Sequence, residues 1–253
     1  MLLRLITLLA IACAAHAQNV GEAVVVSPNG WVMEGKVVKG LPYTAQAVTS
    51  TKQTLTTGSE ISTSVTSLVA RDSEGRTRRE QTLLAIGAVA VERSASPTLI
   101  VIEDPVKMEN YILNPKTHIA RMNRRRPPVN SEEGKRIEEN RRAEANRREP
   151  RSERTESLGS KTMEGIKAVG SKTITTFPIG SVRNSAPIEV VAETWYAPDL
   201  QEVIYTRRSD PRFGETTYRL TDIKRVEPPA SLFEVPADYR IEQGEGAAEP
   251  RRK

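Results

Sequence analysis

The chain has 253 residues, a formal net charge of +5, 38% hydrophobic residues and only 4% aromatic residues. One cysteine and two histidines rule out a disulfide-stapled core and an ordinary zinc site. The length suits one domain with an insertion, or two small halves.

The chain opens with Met1-Leu2-Leu3-Arg4, an apolar run from Leu5 to Ala15, and Ala15-His16-Ala17. One positive charge, a short apolar core and a small-x-small site predict a secretory signal peptide over residues 1–17, with the mature chain starting at Gln18. The apolar run falls short of the ~20 residues that span a bilayer. Cys13, after Ala12, is either an apolar residue of the signal or the acylated cysteine of a lipoprotein. No transmembrane segment is expected after cleavage, and the expected location is periplasmic or secreted.

Residues 18–40 read as weakly organised, with one short strand over Ala23–Val26. From Tyr43, alternation of Tyr43, Ala45, Ala47, Thr49 and Thr51 against Thr44, Gln46, Val48, Ser50 and Lys52 predicts a strand. A turn at residues 56–59, a strand bearing Ile61, Thr63, Val65, Ser67 and Val69, a turn over Arg71–Arg76 and a strand over Thr77–Leu84 complete an antiparallel meander. Leu83–Val91 is a helix candidate. Short strands follow over Thr98–Ile102, Asn110–Leu113 and Ile119–Met122, divided by Asp104-Pro105 and Asn114-Pro115-Lys116-Thr117.

Residues 124–157 form a charged linker or insertion. Arginine and glutamate interleave there, and Glu132/Arg136 and Glu138/Arg142 have helical i,i+4 spacing, so the segment reads as partly helical. The same interleaving argues against nucleic acid as a partner, because a phosphate-tracking surface would not carry so many carboxylates.

Strands return in residues 158–241: Ile166–Phe177, Ile188–Tyr196, Gln201–Arg207, and one that turns Thr216, Tyr218 and Leu220 inward. Ala197-Pro198-Asp199 and Ser209–Gly214 are turns. Leu232 and Phe233 are expected to pack on the sheet end, and residues 242–253 form a disordered tail. The domain reading is therefore 1–17 signal, 18–40 weakly ordered, 41–123 first β half, 124–157 insertion, 158–241 second β half, and 242–253 tail. The fold class is mainly β (α+β): a curved antiparallel sheet or half-barrel with a charged, partly helical insertion.

Three stretches carry a family resemblance: Thr194-Trp195-Tyr196-Ala197-Pro198-Asp199-Leu200, Asp210-Pro211-Arg212-Phe213-Gly214-Glu215, and Leu232-Phe233-Glu234-Val235-Pro236-Ala237-Asp238-Tyr239. With them the chain resembles an uncharacterised family of exported proteins of acidobacterial type, over most of Tyr43–Tyr239. The Leu-Phe-x-Val-Pro pattern and the long antiparallel strands are also similar to the LolA/LolB/RseB-like periplasmic superfamily. That likeness implies a half-open sheet around an apolar cavity. LolA-like carriers plug the open side with helices, and the charged insertion has no apolar face for that task.

Chemistry is sparse. His118 lacks a Gly-x-Ser-x-Gly elbow to work with, and acidic residues are too scattered for calcium. Glu189 and Glu193 share a strand face without an aromatic sugar platform beyond Trp195. No catalytic, cofactor-binding or metal residues are named, no cofactor is expected, and no enzyme activity is assigned. Trp195 falls on the outer face, either covered by another element or part of a patch. Trp195, Tyr196, Phe213 and Tyr218 are the candidate ligand or partner patch. The expected function is an exported binding module that holds a lipid or other apolar ligand in the curved sheet. The alternative is an envelope interaction or regulatory protein without a small ligand.

Overall fold

The structure, a computed structural model, describes residues 37–55, 57–82, 85–86, 89–90, 98–124, 132–148 and 151–244. The expected signal peptide over residues 1–17, Cys13 and the expected strand over Ala23–Val26 lie outside the described residues.

The first meander is β1 (Tyr43–Thr54), β2 (Glu60–Arg71) and β3 (Thr77–Thr82). After β4 (Ala85–Ile86) and β5 (Val89–Ala90) come β6 (Thr98–Asp104), β7 (Glu109–Asn114) and β8 (Ile119–Arg124). Helix α1 (Glu132–Arg148) leads to β9 (Ser152–Met163), β10 (Ile166–Phe177), β11 (Ile188–Ala197), β12 (Glu202–Asp210) and β13 (Gly214–Lys224). A 3-10 turn (Ala230–Phe233) and β14 (Arg240–Gln243) follow.

Twelve strands form one open curved sheet in the order β14-β8-β7-β6-β3-β2-β1-β13-β12-β11-β10-β9. Two meanders are thus joined at their centre by antiparallel pairing of β1 with β13, Ala47 against Leu220 and Thr49 against Tyr218. The β-branched alternation read in the sequence sets this register, since a one-residue slip would turn the apolar positions to the other face. The fold is mainly β, as expected. No helix among the described residues is long and apolar enough to cross a membrane.

Three expectations are corrected. In the helix candidate over Leu83–Val91, the described residues are strand and not helix: Ala85–Ile86 and Val89–Ala90 pair as a two-residue ladder. The charged segment does not run unbroken to residue 157, because β9 starts at Ser152 as an edge strand carrying Glu153, Arg154 and Glu156. Residues 240–243, two of which were assigned to the tail, form β14 in parallel with β8.

Cross-strand register defines two faces. On one, Ala70, Ile100, Ile102, Leu113 and Ala120 are buried beneath a C-terminal strap that contributes Phe233, Leu232, Val235 and Tyr239. Arg78 fixes the strap by donating from Nη1 to the Leu232 carbonyl at 2.8 Å. The Arg76 guanidinium lies 5.3 Å from the Phe233 ring centroid. The other face holds Tyr43, Ala45, Ala47, Val69, Tyr218 and Leu220.

Candidate functional site

Contacts across the second face show that it is concave. Arg71 ends β2, and Glu202 starts β12. Two strands lie between them, so in a flat sheet they would be ~14 Å apart. Arg71 Nη1 nevertheless donates to Glu202 Oε2 at 3.2 Å, Nε donates to the Leu41 carbonyl at 3.1 Å, and Nη2 donates to the Leu200 carbonyl. The Tyr43 hydroxyl donates to the same Glu202 oxygen at 3.1 Å, beneath the guanidinium, which stands 4.8 Å from the ring centroid. Burial, reinforced by the Glu202 charge, pushes the Tyr43 phenol well above its usual range. Farther along, Arg79 Nη2 donates to the Tyr218 hydroxyl at 3.3 Å, reaching over β2 and β1 to do so. The end of the curl nearest the β11–β12 turn is therefore filled by side chains, with Leu200 and Ile204 buried in the same cluster.

Beyond Arg79 the concave face changes character. Arg79 stands opposite Val101, Val101 opposite Ile112, and Asn114 opposite Ile119. By alternation Leu99 shares the face with Val101. These four apolar residues on β6, β7 and β8 are half-buried. Their strand neighbours Ile100, Ile102, Leu113 and Ala120 point the other way, under the strap. Between this patch and the far wall, Thr49, Thr51, Thr63, Thr206 and Thr216 line the central strands, all half-buried.

The middle rows of the convex face of the second meander are polar. Register aligns Glu156, Lys172, Glu193 and Arg207 across four successive strands. A shallow hollow of about 290 Å³ is lined there by Lys172, Val191, Glu193, Arg207 and Ser209. Trp195 lies in the next row, where the β11–β12 register shifts, and is buried in the same cluster as Ala197, Leu200 and Ile204. Its indole rests on Gly170 of β10, Lys161 Nζ of β9 stands 3.7 Å above the ring centroid, and its Nε1 donates to Glu193.

The four residues named from the sequence do not form one patch. Trp195 is buried at 5% exposure, in the cluster that also holds Ile166, Ala168, Leu200 and Ile204. Tyr196 turns the opposite way and is half-buried; burial and then the Glu202 charge raise its phenol pKa. Tyr218 is buried on the concave face under Arg79. Phe213 stands at 69% exposure on the β12–β13 tip. Glu189 and Glu193 do share a face, where Glu193 is engaged by Trp195 and stands opposite Lys172. His118 sits in the β7–β8 turn, stacked 5.2 Å from Tyr239 and paired with Asp238 at 2.8 Å. That places it as a fastener of the strap. No group of metal-ligating side chains occurs among the described residues.

Sequence reading missed Arg71 and Arg79, and also the Leu99–Val101–Ile112–Ile119 patch. Arg71 looked like a turn residue. The strand Leu99-Ile100-Val101-Ile102 is apolar on both faces, so alternation could not say which face the strap would take.

No family model and no curated relative matches the chain. Among solved structures, an uncharacterised conserved protein of Thermus thermophilus superposes with a TM-score of 0.41 at 10% identity, covering 81% of this chain and 91% of that one. A chain of the Pseudomonas aeruginosa MucA/MucB complex gives 0.41 at 10% identity, over 81% of this chain and 59% of that one, so this sequence spans about three-fifths of its length. A LolA superfamily protein of Nitrosomonas europaea gives 0.29 at 6% identity, over 79% and 93%. The superfamily named from the sequence is thus represented among the structural neighbours.

Proposed function

We propose that the protein is an exported binding module whose concave sheet face takes an elongated apolar ligand of the lipid or acyl-chain class. The observation that supports this reading is the Leu99, Val101, Ile112 and Ile119 patch, four apolar side chains on the concave face of three adjacent strands. A wall of threonines continues it, with Arg121 opposite Ile112 and Arg208 opposite Thr216 as charged neighbours on the same face. Apolar side chains beside a few polar groups suit a ligand with a long hydrocarbon part. The filled end at Arg71 and Glu202 gives the trough a closed bottom, so a ligand enters from the other end or from the side.

Native mass spectrometry of the protein purified from its own envelope tests the reading. The expected result is a bound mass that extracts into organic solvent and is lost in Val101→Gln/Ile112→Gln. A clean apo mass, together with no uptake of a fluorescent fatty acid, would overturn it.

A second reading, partner capture through α1, is favoured by one observation. Its described side chains are exposed and alternate in charge, with Glu132 paired to Lys135 at 3.0 Å. Replacing Glu132, Glu133, Lys135, Arg136 and Glu139 with alanine should abolish capture of an envelope protein while leaving ligand binding intact.

A further inference from the structure

One end of the sheet displays apolar side chains in a manner the trough does not use. Because β2, β1, β13, β12, β11 and β10 are consecutive in the sheet, the β1–β2, β12–β13 and β10–β11 connections are neighbours at the same end. Each puts a large apolar side chain into solvent. Phe213 is 69% exposed, Ile179 67%, Ile61 53% and Leu55 40%.

These tips are held in place. Asp210, itself 3% exposed, accepts from the Arg212 amide and Nε through Oδ1 at 3.0 and 2.9 Å, and from Arg212 Nη2 through Oδ2 at 2.9 Å. That fixes the Arg212 guanidinium 4.8 Å from the Phe177 ring centroid and 5.2 Å from that of Phe213, joining the β10–β11 and β12–β13 connections. Gly214, at φ +86°, abuts β1 so closely that a Cβ there would meet the Lys52 carbonyl oxygen. The Asn184 amide nitrogen ties the β10–β11 loop together by donating to the Pro178 and Ala186 carbonyls at 2.9 and 2.7 Å. The apolar side chains are displayed by built turns.

Charge is sorted around them. Asp210 is buried while its partner Arg208 is 54% exposed, and Arg207 is 51% exposed against 32% for its partner Glu215. Cations therefore face outward more than the anions that hold them. Lys52, with Glu60, stands beside the same tips.

We propose that this end of the sheet docks on an anionic lipid bilayer, with Phe213, Ile179, Ile61 and Leu55 entering the interfacial layer and the arginines meeting headgroup phosphates. A bilayer fits better than a protein partner. The four apolar side chains are spread over three separate hairpins, two on the β1–β2 hairpin and one on each of the others, with charges between them. A fluid interface accepts that pattern, whereas a shaped protein surface would have to match each protrusion.

The test is co-sedimentation of the full chain with vesicles of phosphatidylcholine alone and of phosphatidylcholine mixed with phosphatidylglycerol. The expected result is binding to the mixed vesicles, weakened by salt. Binding should weaken by about tenfold in Phe213→Ser/Ile179→Ser, the loss expected from removing two partly inserted apolar groups. Thermal unfolding should be unchanged, because neither side chain is buried. Val106→Ser/Met108→Ser, altering exposed apolar residues at the opposite end of the sheet, should leave binding intact. No sedimentation with either vesicle, or equal loss from both pairs of substitutions, would overturn the proposal. The trough variant Val101→Gln/Ile112→Gln should still bind vesicles, which separates this surface from the trough.

Discussion

Gly170 and Trp195 face each other directly across the β10–β11 ladder, and the indole occupies the space where a side chain at position 170 would stand. An ideal Cβ there would lie 2.7 Å from the Trp195 Cη2 and 2.8 Å from two further ring atoms. The ring has little freedom to retreat, since Lys161 lies over it and Glu193 holds its nitrogen. Gly170→Ala is therefore expected to destabilise by about 1–3 kcal/mol through overpacking. Chemical denaturation monitored by far-ultraviolet circular dichroism checks this. An unchanged midpoint would mean the indole has another place to go.

Arg71 is expected to be the costliest single charge to remove. It joins β2, the segment before β1 and the β11–β12 turn, and its side chain is 4% exposed. Arg71→Ala takes its donor from the Leu41 and Leu200 carbonyls and leaves the Glu202 carboxylate with the Tyr43 hydroxyl but without its cation, a loss of about 3–5 kcal/mol by the usual behaviour of broken buried pairs. The double variant Arg71→Met/Glu202→Gln should recover a large part of it, because the stranded charge is gone. A double variant as unstable as Arg71→Ala would show that packing, and not charge, sets the loss.

The C-terminal strap is expected to be part of the core and not an appendage. Phe233 is 3% exposed against the first meander, so Phe233→Ala should cost about 3–5 kcal/mol. His118→Ala, which removes only the stacking on Tyr239 and the exposed pair with Asp238, should cost about 1 kcal/mol or less. Equal losses from the two substitutions would contradict the arrangement described.

Asp210 should make stability acid-sensitive. Burial alone would raise its carboxyl, but the hydrogen bonds from Arg212 and Arg208 outweigh that and hold it below the ordinary carboxylate value. Because the folded pKa is the lower one, its contribution is full above the unfolded value, near 4, and is lost as pH falls through the folded value. Asp210→Asn should therefore be less stable than the natural chain at neutral pH, and the gap should narrow as pH falls below about 4. Unfolding midpoints measured across that range test the sign.

The sequence exposed the parts of the fold whose neighbours lie close in the chain. The first three strands, the turns at Asp72 and Asp104, and the inward positions of Tyr218 and Leu220 all follow from alternation and turn chemistry. What escaped has a physical reason in each case. Strand β9 is an edge, exposed on both faces through most of its length, so nothing in Ser152-Glu153-Arg154-Thr155-Glu156 alternates. Charges on such an edge also discourage stray pairing. Strand β14 takes its hydrogen bonds from β8, a partner far away in the chain, and four residues carry too little pattern to announce that. The candidate patch was drawn from aromatic residues. Two of them, Trp195 and Tyr218, are buried by Lys161 and Arg79, cations supplied from strands that do not adjoin them in sequence.

The central seam has a consequence for how the molecule is made. Lys52 stands against Glu215 and Thr44 against Lys224, so the first long strand to emerge must wait for almost the last before its second edge is paired. The strap that buries Phe233 arrives later still. During synthesis the early meander therefore carries an unsatisfied backbone edge and an uncovered apolar face at the same time, the two features that invite misassociation. Such long-range closure makes for slow folding. This chain should depend on a holding factor until its final residues are released, and it should tolerate loss of its last strands less well than its size suggests.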